Sequence, residues 1–151
     1  ISTAGVVPGI RKLAAMNLPG IRLAISVNAP DNPTRSKLMP VNNAWPLETL
    51  KETLAGFPLS RKGTFLFEYI LIKGVNDTKA HADSLAKFIH PLPVRLNLIP
   101  CNPVSGLAHE SPSDEDMNRF SQHLVEKNIF VIRRWSKGRS LSAGCGQLGR
   151  Q

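Results

Sequence analysis

Thr64-Phe65-Leu66-Phe67-Glu68-Tyr69-Ile70-Leu71-Ile72 is the stretch on which the fold turns. Aromatic, β-branched and threonine side chains fit a pleated, half-buried surface, so this segment is the clearest strand of the chain. Pro58 ends the segment before it, and Lys73-Gly74-Val75-Asn76-Asp77 makes a turn after it. Glu68 is the oddity, because a carboxylate inside a central strand needs a partner. Two readings of it stand. Pointing into a barrel, it holds a ligand or an arginine; pointing outward, it pairs structurally.

Working outward, helical and strand patterns alternate. Downstream, Asp77 is the expected N-cap of a helix that presents Ala82, Leu85, Ala86 and Ile89 on one face and stops before Pro91. Val94 to Ile99 is a strand running into Pro100-Cys101-Asn102-Pro103. Ser111-Pro112-Ser113-Asp114 starts another helix, with Met117, Phe120, Leu124 and Val125 as its core stripe and Asn128 as its C-cap. Ile129 to Ile132 is the last strand. Upstream, a helix from Pro46 carries the apolar stripe Leu47, Leu50, Leu54 and Phe57. Before it, Asp31 to Pro40 forms a short helical turn bearing Arg35 and Lys37. Ile21 to Val27 is a nearly continuous apolar strand, which suits a parallel strand buried on both faces. Val6 to Asn17 is a helix with Pro8 in its first turn.

Strict alternation of this kind gives an α/β fold with parallel strands, half or three-quarters of a (β/α) barrel. No linker divides the chain, so residues 1–151 read as a single domain. Active sites of such barrels lie at the C-terminal ends of the strands. Ser26-Val27-Asn28, Lys73 to Asp77 and Pro100-Cys101-Asn102 fall there, and Ser2-Thr3 joins them if a strand precedes Ile1.

Composition narrows the function. Hydrophobic residues at 42% and charged residues at 20% describe an ordinary globular chain. A net charge of +8 and a pI near 10 favour an acidic partner, most simply nucleic acid, although lysines also serve solubility alone. With two cysteines, Cys101 and Cys145, the chain holds neither a disulfide framework nor a four-cysteine zinc site. Free thiols suit a reducing, cytoplasmic setting. No apolar run approaches the roughly 20 residues that span a bilayer. The opening on Ile1 rather than Met reads as a piece of something longer. Glycine-rich phosphate loops and an ordered Ser, His and Asp set are missing. His81, His90 and His123 fall on helices as surface or helix-end residues, while the role of His109, in the loop after Asn102, stays open. Met16, Met39 and Met117 read as core filler. Trp45 staples the start of the Pro46 helix. Trp135 either stacks on a base or packs under the last helix.

One further stretch carries chemistry: Ser142-Ala143-Gly144-Cys145-Gly146-Gln147-Leu148. Glycine on either side leaves the sulfur little steric shielding. Arg133, Arg134, Lys137 and Arg139 precede it, and nearby cations favour the thiolate. Such a thiol suits chemistry on an anionic polymer. The competing reading is a small buried cysteine in a C-terminal turn.

Several blocks then match a known family in order and spacing. They are Ile1-Ser2-Thr3-Ala4-Gly5-Val6-Val7-Pro8, Leu23 to Pro30, Leu38-Met39-Pro40-Val41-Asn42, Phe67 to Asp77, Asn97 to Pro103 and Cys145-Gly146-Gln147-Leu148. Together they closely resemble the C-terminal half of the RlmN/Cfr family, radical S-adenosylmethionine (SAM) enzymes that methylate adenine in large-subunit ribosomal RNA and, for RlmN, in tRNA. The resemblance implies the C-terminal portion of a radical SAM partial (β/α) barrel. Ser2, Ser26, Val27, Asn28 and Asn102 would line the SAM site, and Cys145 would be the methyl carrier. One SAM methylates its sulfur. A second, cleaved at a 4Fe–4S cluster, yields a radical that takes hydrogen from the S-methyl group. The resulting carbon radical adds to adenine, and another cysteine releases the adduct.

It also implies 23S rRNA and tRNA as partners, an electron donor such as flavodoxin, a monomer, and RNA contacts from Arg133, Arg134, Lys137 and Arg139. The family's Cys-x-x-x-Cys-x-x-Cys cluster motif, Gly-Glu-Pro loop, resolving cysteine and N-terminal RNA-binding domain would all precede Ile1, so this piece alone is expected to be inactive. Asn28 stands where the family more often has His, Cys101 where it has an aromatic residue, and Arg139-Ser140-Leu141-Ser142 where it has acidic residues. Methylation at C2 of adenine is the leading expectation. The alternatives are methylation at C8, as in the resistance-conferring relatives, and a non-catalytic RNA-binding module.

Overall fold

The computed structural model describes residues 1–102 and 109–134. In chain order the elements are β1 (Ser2–Thr3), α1 (Val7–Ala15), β2 (Ala24–Ser26), α2 (Asn32–Leu38), a 3-10 turn (Pro40–Asn43), α3 (Leu47–Ala55), β3 (Phe65–Leu71), α4 (Lys79–Ile89), β4 (Val94–Pro100), α5 (Asp114–Glu126) and β5 (Phe130–Arg133). The strands form one five-stranded sheet in the order β1-β2-β3-β4-β5, every neighbouring pair parallel.

That order decides where everything else lies. Parallel neighbours joined by crossovers of one hand send every connection to the same face. Phe65, Phe67, Tyr69 and Leu71 accordingly alternate with Leu66, Glu68 and Ile70: the first set is buried, the second half-buried. The buried set joins Ile25, Leu96 and Leu98 in one core with Ile10 of α1, Leu50 and Leu54 of α3, Leu85 and Ile89 of α4, and Met117, Phe120 and Leu124 of α5. Among the described residues, helices therefore cover one face of the sheet, and the other, open face carries Leu66, Glu68 and Ile70. The expectation that Ile21 to Val27 is buried on both faces is corrected by this: β2 is only Ala24–Ser26, with Ile25 buried and its two neighbours half-buried.

Local signals set the helix ends. Ser113 and Asp116 exchange hydrogen bonds as a capping box at the start of α5. Asp77 is not the cap of α4. Its carboxylate accepts from the Gly74 amide at 3.0 Å within the turn, and the Thr78 hydroxyl caps the helix by accepting from the His81 amide at 3.2 Å. Two expected core residues are on the surface. Val125 follows the buried Leu124 by one position, which swings it about 100° off the stripe, and Met16 lies past the last turn of α1. Met117 does fill the core.

Candidate cofactor-binding rim

The C-terminal ends of β1, β2 and β3 are locked together by buried polar groups. Arg35, fully buried on α2, is the centre of one lock. Its Nε donates to the Val27 carbonyl at 3.1 Å. Nη1 donates to Asn42 Oδ1 at 2.9 Å, and Nη2 to the carbonyls of Ala4 at 2.8 Å and Ser26 at 3.2 Å. One planar guanidinium, with donors in a fixed fork, thus sets the ends of β1 and β2 against each other. Burial pulls its pKa below the ordinary value, yet an arginine keeps its proton in a protein. Gly5 makes room for it: at φ +96°, an added Cβ there would meet Arg35 Nη2 at 3.0 Å and Leu50 at 3.2 Å.

A second lock joins β2 to β3. Asn28 takes a left-handed backbone (φ 56°), which Asn tolerates better than most residues. Its Oδ1 accepts from the Ile70 amide at 3.0 Å, and its Nδ2 donates to Met39 Sδ at 3.4 Å. Asn76, fully buried, donates to the carbonyls of Asn28 and Ile70 and accepts from the Ile72 amide at 2.7 Å. The Tyr69 hydroxyl donates to the Asn76 carbonyl at 2.8 Å. The sequence assigns no individual role to Arg35, in a short helical turn, to Asn42, in a family-like block, or to Asn76, in the polar turn placed at the rim. Their signal was there only as polar side chains beside apolar strand ends.

The expected site residues divide by position. Ser26 sits half-buried on the open face at the end of β2. Asn28 and Asn102 lie at the rim beyond β2 and β4. Val27 is fully buried, so only its main chain reaches the rim. Ser2 pairs in register with Ala24, one step below Ser26 on the same face. It also borders a cavity of about 660 Å³ at the N-terminal end of the sheet, with Leu66, Arg95 and Lys62. That cavity lies away from the rim where the polar loops converge, and the rim is the better candidate for chemistry. Asn102 Oδ1 is buried without a hydrogen-bond partner among the described residues. Cys101 is buried, its amide held by the Leu71 carbonyl at 2.9 Å, and burial pushes its thiol pKa up, as for a structural cysteine.

Arg133 ends β5, and the Arg134 amide donates to the Leu98 carbonyl at 2.9 Å; both side chains are exposed. Cys145, Lys137, Arg139 and Trp135 lie outside the described residues. His81 caps its own helix, His90 Nε2 lies 3.1 Å from the Lys127 carbonyl, and His123 meets Asp83. These three are scaffold residues.

No protein-family model matches the chain. A solved radical SAM methyltransferase from Sphaerobacter thermophilus superposes with a TM-score of 0.86 and 38% identity, over 97% of this chain and 42% of that one. The dual-specificity RNA methyltransferase RlmN of Nitratiruptor sp. is 40% identical over 148 residues, 98% of this chain and 41% of that protein. Over this stretch the chain is similar to RlmN. RlmN of Desulfosudis oleivorans gives 42% identity over 98% of the chain and 39% of its own length. The chain thus spans about two fifths of the length of the curated relatives it matches, and it fits the C-terminal part of such a protein.

Proposed function

We propose that this chain is the C-terminal part of a radical SAM enzyme that methylates RNA, at C2 of adenine in 23S rRNA and in tRNA, with Cys145 as the covalent carrier. The observation behind the reading is 40% identity to a protein named as an RlmN methyltransferase across 98% of the chain, joined to a rim that suits the cofactor. The buried, unpartnered Oδ1 of Asn102 is an acceptor awaiting a donor, and SAM offers ribose hydroxyls and amines. Ser2, Ser26, the main chain of Val27, Asn28 and Asn102 would hold it on a rim that Arg35 and Asn76 keep rigid. Bound there, SAM supplies the methyl group and the hydrogen-abstracting radical.

An iron–sulfur cluster does not fit this chain, since two cysteines cannot supply the three thiolates of a radical SAM cluster site. The chain's own contribution is the Cys145 sulfur. Arg133, Arg134, Lys137 and Arg139 favour its thiolate and attract the RNA backbone. An electron donor such as flavodoxin, a monomeric state and the cytoplasm belong to the same reading.

The test uses the full-length protein carrying this chain. Cys145→Ala should abolish methyl transfer and leave SAM cleavage largely intact, and mass spectrometry of the wild-type product should give 2-methyladenosine. Normal methylation by the variant removes Cys145 from the mechanism. A product of 8-methyladenosine replaces C2 by C8.

A further inference from the structure

The open face carries a carboxylate that no described residue answers. Glu68 is mid-strand on β3, in register with Ser26 on β2 and Asn97 on β4, so three polar side chains make one row across the sheet. Adjacent strands lie roughly 4.8 Å apart, and a small ligand group can touch all three. The burial alternation of β3 puts Glu68 on the face away from the helices, half-buried, with Leu66 and Ile70 before and after it. Asn97 is only 4% exposed. Glu68 makes no hydrogen bond or ion pair with any other side chain among the described residues. The nearest cation by register, Arg95, holds its guanidinium over the Phe130 ring, 5.4 Å from the centroid. The carboxylate oxygens are therefore met by water rather than by a protein donor, and a ligand amine could take the water's place.

We propose that Glu68, flanked by Ser26 and Asn97, recognises the exocyclic amine of an adenine ring lying on this face of the sheet. The inference rests on the reading of the chain as part of a SAM-dependent adenine methyltransferase. The carboxylate accepts from the amine, and the Asn97 carboxamide offers both a donor and an acceptor to the ring edge, the pairing by which Asn reads adenine elsewhere. Leu66 and Ile70 give the ring an apolar floor. A keto oxygen in place of the amine would face the carboxylate lone pairs, so the row also rejects hypoxanthine and guanine.

Two molecules present this group: the adenosyl cofactor and the target base. Equilibrium binding by the full-length protein separates them. The probes are SAM, its analogue with hydrogen in place of the 6-amino group, and RNA oligonucleotides with adenosine or purine riboside at the target position. Wild-type protein should prefer the amino form in one of the two pairs by about 10- to 100-fold, and Glu68→Ala should erase that preference while leaving affinity for the deamino form unchanged. Loss in the SAM pair assigns the row to the cofactor; loss in the RNA pair assigns it to the substrate. If Glu68→Ala fails to fold, Glu68→Met, which fills similar space without a comparable acceptor oxygen, is compared in the same way. An amine preference that survives substitution in both pairs overturns the proposal, as does no preference in wild type. Wild-type protein that binds neither SAM nor RNA overturns instead the reading on which the site rests.

Discussion

At the scale of single residues, Arg35 is the side chain on which the rim most depends. It answers three main-chain carbonyls and one side-chain oxygen that would otherwise be buried without donors. Arg35→Met leaves those acceptors unsatisfied and should cost about 2–5 kcal/mol, read as a drop in the urea midpoint. Arg35→Lys keeps the charge but loses the planar fork, so it should recover only part of that stability. A variant as stable as wild type would show that water or main-chain adjustment replaces the guanidinium. Nothing in the local sequence marks this residue. Asn32-Pro33-Thr34-Arg35-Ser36-Lys37 reads as a polar surface turn, and the carbonyls that Arg35 serves come from residues as distant as Ala4.

At the scale of elements, α4 and α5 are clamped across their exposed edge by Asp83. Its carboxylate lies 3.0 Å from His123 Nε2 and 3.1 Å from Lys127 Nζ. The hydrogen bonds from His123 and Lys127 hold the Asp83 pKa down to about 2, against an ordinary 3.8. A pKa depressed in the folded state stabilises above the ordinary value and stops doing so as pH falls through the folded one. Asp83→Asn should therefore lower the thermal midpoint at neutral pH, and the gap from wild type should close between about pH 4 and about pH 2. A gap that is still full-sized at the acid end would place the effect elsewhere.

The elements themselves were largely legible, because each is announced by punctuation and period. Pro46 and the stripe Leu47, Leu50 and Leu54 marked α3, and the aromatic run marked β3. The capping serine of α5 was equally plain. What misled was reading apolarity as burial without knowing which face the crossovers cover. β2 looked two-sided and is not. The cap of α4 was misplaced by one residue because Asp77 and Thr78 are both good caps, and only the Gly74 turn decides between them. Ser26, Asn28 and Asn102 could be placed at one rim from the strand ends alone. The polar row on the open face could not, since register between strands is invisible in one sequence.

At the scale of the whole molecule, the open face and the basic end of β5 are two surfaces, among the described residues, that a partner could use. If the cluster of positive charge there meets the RNA backbone, neutralising Arg133, Arg134 and Lys137 together in the full-length protein should flatten the dependence of log affinity on log salt. The slope should fall by about 0.7 to 0.9 for each phosphate that the variant no longer neutralises. An unchanged slope would move the RNA surface elsewhere.

The chain's single tyrosine adds a last consequence. Tyr69 is wedged against Phe120 of α5, with ring centroids 5.6 Å apart, and burial drives its phenol far above the usual 10, aided by the charges of Asp31 and Asp77. The intact protein therefore keeps this phenol colourless in mild alkali, and its stability declines once pH passes the ordinary value, where an unfolded chain would give up the proton. A near-ultraviolet phenolate band is then an optical gauge of tertiary collapse that needs no added dye.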